Sequence, residues 1–330
     1  IFSAPSITID APTNGETYSE GDAIGFSATV SDAQDQPDEI VLDWSLNGTS
    51  VSTQGSTPTG TAQFSDATLA YGEYNLIVTA TDTDGLTDSD QINFTINGLP
   101  TQPVISIDPD PADTNDTLTV VMDTPSNDPE GSTVNYTYQW LMGGAVQSAY
   151  TSSAVPASAT NKNEQWTVRV TPNDGIADGP VGEATITIAN TAPTLSALAI
   201  TPTSNVYNDI TLTCSVVVTD PDETLTPTYE WSIGSTVVGS GTTLDLSSAG
   251  AMPNDVVTCA VSVVDGDGES ASDSTTTTVE NRAPSVSDAT ITPSTGVTTG
   301  TALTCSATVS DDDGENQTVS YEWQVGSNTY

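Results

Sequence analysis

The sequence predicts an all-β chain of tandem β-sandwich domains in an extended rod, and three observations predict it. A tryptophan segment recurs every 91 to 96 residues, as Leu42-Asp-Trp44, Tyr138-Gln-Trp140, Tyr229-Glu-Trp231 and Tyr321-Glu-Trp323. A period of that length marks a repeat architecture. Pro-bearing junctions separate the repeats: Ser3-Ala4-Pro5, Asn97-Gly98-Leu99-Pro100, Asn190-Thr191-Ala192-Pro193 and Asn281-Arg282-Ala283-Pro284. Finally, Thr and Val dominate the segments between turn clusters of Gly, Pro, Asn and Asp, and no segment sustains a 3.6-residue period.

The third repeat shows the elements in order. An opening strand near Leu198–Ile200 precedes the alternating run Ile210–Val218. Thr228–Ile233, Ser235–Val238 and Thr242–Leu246 follow, and Val256–Val264 and Ser274–Val279 close the unit. Seven short strands in about 91 residues fit an immunoglobulin-like sandwich, with no substantial helix. The boundaries read as 1–97, 98–189, 190–281 and 282–330. The fourth repeat stops just after its tryptophan strand. The expected reason is that the natural chain continues; the alternative is strand donation by a neighbouring subunit. Proline fixes φ and restricts the residue before it, so linkers this short are stiff.

Composition narrows the function. Three basic residues, Lys162, Arg169 and Arg282, face 44 acidic ones, for a formal charge of −41, and histidine is absent. Coulomb repulsion argues against nucleic acid and anionic membrane as partners, and favours cations or a salt-rich medium. Without histidine, Ser-His-Asp, Cys-His and His-ligated metal chemistry is closed off. No carboxylate pair is placed across a cleft, so no catalytic residue is expected and the chain reads as a non-enzyme. There is no long apolar run that would insert into a membrane, and no basic, apolar leader at Ile1, which suggests a mature or internal start.

Cys214, Trp231 and Cys259 follow the Cys-Trp-Cys order of an immunoglobulin core, which predicts a Cys214–Cys259 disulfide and an oxidising, extracellular or cell-surface compartment. A free thiol or metal role is the alternative. Counting back from the Asp-Gly turns places Phe26/Leu76 and Val120/Trp166 in the same column, with Cys305 in the fourth repeat. Tyr74, two residues before Leu76, falls where a tyrosine corner would lie.

The carboxylates gather in two loops of each repeat, after the second and the sixth strand. The candidate metal ligands are Asp32, Asp35, Asp82 and Asp84 in repeat 1, and Asp128, Glu130 and Asp174 in repeat 2. Repeat 3 offers Asp220, Asp222, Asp265 and Asp267, and repeat 4 offers Asp311 and Asp313. Both loops lie at the pole that meets the preceding domain. Converging carboxylates repel unless a hard cation sits among them, and calcium takes six to eight oxygens of this kind. The alternative is that Asp and Gly are turn formers on a solvated acidic surface. Sequons at Asn47, Asn93, Asn115, Asn135 and Asn316 are a weak signal in a Thr-rich chain.

Together the Asn-x-Ala-Pro junction, the Leu-Thr-Cys strands at 212–214 and 303–305, the Asp-x-Asp-Gly loops and the Tyr-x-Trp strand resemble tandem immunoglobulin-like repeats. They are akin to the cadherin-like and PKD modules of secreted or surface proteins of bacteria and archaea. The resemblance implies surface display, calcium-stiffened junctions, and roles in adhesion, stalks or extracellular assemblies. The expected function is a structural or adhesive rod, with polymerisation into a filament or sheath as one form of it. Its partners would be other copies of itself or cell-surface components. A spacer or carbohydrate-binding region of a larger secreted enzyme is the alternative.

Overall fold

The computed structural model describes residues 2–66 and 68–330. It divides into two compact units, Ile1–Ala189 and Asn190–Tyr330. The first holds two β-sandwiches of immunoglobulin-like topology, and the second holds one such sandwich followed by the strands of the fourth repeat.

The first unit begins with β1 (Ser6–Ala11), β2 (Thr17–Ser19), β3 (Ile24–Ser31), β4 (Val41–Leu46), β5 (Thr49–Ser52), β6 (Thr61–Asp66), β7 (Gly72–Thr81) and β8 (Thr87–Asn97). Sheet order is β1-β3-β6 against β2-β8-β7-β4-β5. The two-residue alternation of a strand explains the sandwich. Along β3, Ile24, Phe26, Ala28 and Val30 are buried while Gly25, Thr29 and Ser31 are exposed. The buried side chains meet Leu42, Trp44, Leu76 and Val78 from the facing sheet in one apolar cluster.

Next come β9 (Val104–Asp108), β10 (Leu118–Thr124), β11 (Asn135–Met142), β12 (Ala145–Val146), β13 (Ala154–Val155), β14 (Gln165–Asn173) and β15 (Gly182–Thr187). They form sheets β13-β10-β9 and β12-β11-β14-β15 around a second cluster.

The second unit repeats the plan with β16 (Thr194–Thr201), β17 (Thr211–Thr219), β18 (Thr228–Ile233), β19 (Thr236–Ser240), β20 (Thr243–Asp245), β21 (Val256–Val264) and β22 (Ser270–Thr278). Its sheets are β16-β17-β20 and β19-β18-β21-β22. One helical turn, α1 (Leu246–Ala249), follows β20 because Asp245 accepts the Ser247 and Ser248 amides and Gly250 ends it at φ 70°. The unit ends with the ladder of β23 (Ser285–Thr292) on β24 (Thr304–Ser310), and the hairpin of β25 (Gln324–Val325) and β26 (Asn328–Thr329).

Trp44, Trp140 and Trp231 are fully buried, and each indole N–H donates to a backbone carbonyl, at Gln54, Ser152 and Gly241 respectively. That satisfies the one polar atom of each ring. Cys214 and Cys259 form the disulfide. The tyrosine corner is present: the Tyr74 hydroxyl donates to the Ala70 carbonyl at 3.0 Å.

Two expectations need correction. Trp231 lies directly across from Cys259, whereas Trp44 and Trp140 lie across from Val78 and Val168, not from Leu76 and Trp166. The turn that anchors the count keeps its place, but the tryptophan strand slides by one side-chain pair against it. Leu76 and Trp166 are still buried in their clusters, so the core column survives the slide. The second correction concerns Trp323, which is not in a strand. Among the described residues none pairs with that segment as β7, β14 and β21 pair with the other three tryptophan strands, and a strand needs a ladder partner.

Candidate cation site and linker clasp

In each repeat the loop after β3, β10, β17 or β24 is organised by its first aspartate. Asp32 Oδ1 accepts the amides of Gln34 and Asp35, and Asp128 Oδ1 those of Glu130 and Ser132. Asp220 Oδ1 takes Asp222 and Glu223, and Asp311 Oδ1 takes Asp313. These are local side-chain-to-backbone turns of the kind aspartate favours. What they leave over is informative. The second oxygens of Asp32, Asp128 and Asp220 are buried with no hydrogen-bond partner. Asp128 is only 3% exposed, and the neighbouring Ser126 hydroxyl is unpartnered as well. In repeat 4 the corresponding oxygen of Asp311 accepts from the Gln317 amide.

The loops after β7 and β21 follow the same logic. Asp82, 7% exposed, accepts the amides of Asp84 and Leu86. Asp265 accepts those of Asp267 and Glu269. Cross-links join the two loops: Asp35 accepts from the Thr83 amide and hydroxyl, and Glu223 accepts from the Gly266 amide at 2.9 Å. Asp84 and Asp267 point outward and are exposed.

The remaining candidates grip the preceding linker. The linker asparagine donates its side-chain amide to the later loop, from Asn97 to Asp174 Oδ2 at 2.8 Å and from Asn190 to Asp265 Oδ2 at 2.8 Å. The next backbone amide donates to the earlier loop, from Gly98 to Glu130 at 2.7 Å, from Thr191 to Asp222 at 2.8 Å, and from Arg282 to Asp313. Gly98 allows this approach because a Cβ there would lie 2.9 Å from both Glu130 Oε2 and Pro129 Cγ.

Burial pushes the Asp174 carboxyl up, but hydrogen bonds from the Ala177 amide, the Asn97 side chain and the Ile176 amide outweigh it and hold it below the ordinary 3.8. Asp265 behaves alike: burial opposes, and Asn190 with the Glu269, Asp267 and Gly268 amides brings it down. A depressed folded-state pKa contributes stability that is complete above 3.8 and is lost as pH falls through the folded value. Asn97→Ala should therefore destabilise the unit by about 1–3 kcal/mol at neutral pH, the cost of removing a part-buried hydrogen bond to a charged group. It should also raise the Asp174 pKa, a change readable by NMR titration of the carboxyl. An unmoved titration would show that the clasp is not formed.

Among the described residues, no three acidic or thiol side chains converge as a ready metal centre. A cation here would complete its shell from backbone carbonyls and water. Sequence reasoning found the carboxylates and missed their donors: the Asn at the head of each linker, read only as part of a boundary, and Arg282. The recurrent Asn-x-Ala-Pro form was the available signal.

The bacterial Ig domain family matches residues 5–78. Solved structures similar to the chain include the fibronectin(III)-like modules of Clostridium thermocellum CbhA, 20% identical over 56% of this chain and 94% of that one, TM-score 0.29. A 1.5-MDa bacterial ice-binding adhesin is 17% identical over 85% of this chain and 99% of the other, TM-score 0.30. Sidekick-1 immunoglobulin domains 1–5 are 15% identical over 85% of this chain and 60% of theirs, TM-score 0.33. No curated protein matches the sequence. Among the described residues no helix is long and apolar enough to cross a membrane.

Proposed function

We propose that these repeats form the calcium-stiffened rod of an extracellular structural or adhesive protein, joining other copies of itself or cell-surface components into a filament or sheath. The observation that carries this reading is the buried, unpartnered carboxylate oxygen that recurs at one loop position in Asp32, Asp128 and Asp220. An uncompensated buried oxygen of a charged group costs free energy, and a hard cation is the partner a carboxylate oxygen lacks there. In repeat 2 the Ser126 hydroxyl, two residues before Asp128, is a further buried oxygen without a hydrogen-bond partner. The charge of −41 works in the same direction, since bound cations relieve self-repulsion. A disulfide supports an oxidising compartment.

The test is thermal melting in millimolar calcium against chelator, at fixed ionic strength. Occupied sites bind only the folded state, so calcium should raise the transition by about 5 °C or more. Asp128→Asn should remove the part of that shift belonging to repeat 2. Identical melting in both media would end the calcium reading. Electron microscopy in calcium then separates the assembled forms, with ordered filaments supporting the polymer and separate strings opposing it.

A further inference from the structure

The linker entering repeat 4 differs from the other two in one residue type. Where the earlier linkers carry Gly98 and Thr191, this one carries Arg282, one of only three basic residues against 44 acidic ones. Its guanidinium reaches both neighbouring repeats. On the repeat 3 side, Nη1 donates to Asp209 Oδ2 at 3.0 Å, Nη2 donates to Asn208 Oδ1, and the group lies 4.8 Å from the centre of the Tyr207 ring. On the repeat 4 side, Nε donates to Asp313 Oδ1 at 2.8 Å and Nη2 to the Asp312 carbonyl at 3.0 Å. The Asn208 side chain adds a direct bond to the Asp313 carbonyl at 2.7 Å.

The Asp313 side chain is fully buried, and Arg282 grips both of its oxygens. Burial acts to raise the Asp313 pKa, and the Arg282 amide and guanidinium overcome it and hold the carboxyl below its ordinary value. The Asp311 oxygen equivalent to those left bare in repeats 1 to 3 is already taken by Gln317. The loop of repeat 4 therefore has its positive charge and its donors supplied by the chain. A planar fork of five N–H groups suits this two-sided task as a point charge does not.

We propose that Arg282 is a built-in counter-ion that locks repeat 4 to repeat 3 without a bound cation, so that the chain carries two kinds of junction. This goes beyond the calcium reading of repeats 1 to 3 and does not need it to hold. The rod would keep one stiff joint when divalent ions are withdrawn.

Hydrogen exchange of the full chain, followed by mass spectrometry on peptides spanning 281–286 and 311–314, tests it. In the native protein, protection there should be the same in calcium and in chelator. Arg282→Gln should lose about tenfold or more of that protection in both media, because it leaves the buried Asp313 carboxylate with the backbone amide of residue 282 but without its counter-charge. Arg282→Lys should recover part of it, since the charge returns without the fork. Peptides from repeats 1 and 2 report whether the rest of the chain stays folded. Native protection that collapses in chelator, or Arg282→Gln exchange equal to native, would overturn the proposal. The peptides around Asp128 and Asp220 read the calcium sites separately, so one proposal can fail while the other stands.

Discussion

Replacing Trp140 with alanine should cost repeat 2 about 3–5 kcal/mol, the range for removing a large aromatic from a packed core. Trp140 is fully buried, meets Trp166 edge to face with ring centres 6.4 Å apart, and sends its indole N–H to the Ser152 carbonyl at 2.9 Å. Tyr150 also meets Trp166 edge to face, with ring centres 5.9 Å apart. Repeat 2 packs this aromatic group in a core that has no disulfide, and the indole anchors β11 to the segment leading into β13. A domain of this size has roughly 5–15 kcal/mol of total stability, so the variant should sit near the unfolding threshold. Denaturant titration followed by tryptophan fluorescence measures it; Trp166 remains as the probe. A loss below about 1 kcal/mol would mean that the ring is not a core residue.

Removing the disulfide by Cys214→Ala with Cys259→Ala should cost repeat 3 about 3–4 kcal/mol on the chain-entropy description. The bridge joins β17 to β21 across the two sheets and spans 45 residues. Both cysteines are buried beside Trp231, so each alanine also leaves a small void. Chemical denaturation of the variant, compared with native protein in reductant, separates the two contributions. Reductant alone should reproduce most of the loss. The transitions of repeats 1 and 2 should not move, since their columns hold Phe26 with Leu76 and Val120 with Trp166 and carry no cysteine.

Much of the architecture was legible because strands with one buried face impose a period of two. Thr228–Ile233 and Val256–Val264 were readable to the residue, since both faces of those runs are marked by alternation. The turn at Leu246–Ala249 was hidden, because four residues cannot display a helical period and its signal is a cap, Asp245, rather than a pattern. Register was harder. Sliding a strand by two residues keeps every side chain on the same face, so the Trp231–Cys259 pairing and the Trp44–Val78 pairing leave the same hydrophobic pattern.

At the site, the aspartates stood out because turn chemistry demands them at fixed places. Their partners did not. Asn97, Asn190 and Arg282 reach these loops through side-chain geometry across 30 to 79 residues, and a local pattern does not encode the partner. The composition counted Arg282 as one basic residue in a sea of acid; only its position explains it.

The most direct test of the cation account is equilibrium binding of calcium to the full chain at physiological ionic strength. Saturable binding should appear, with one ion lost for each of Asp32→Asn, Asp128→Asn and Asp220→Asn, and none lost for Asp311→Asn. Binding that stays linear with calcium concentration and indifferent to those substitutions would mean that the acidic loops are turns and linker clasps alone.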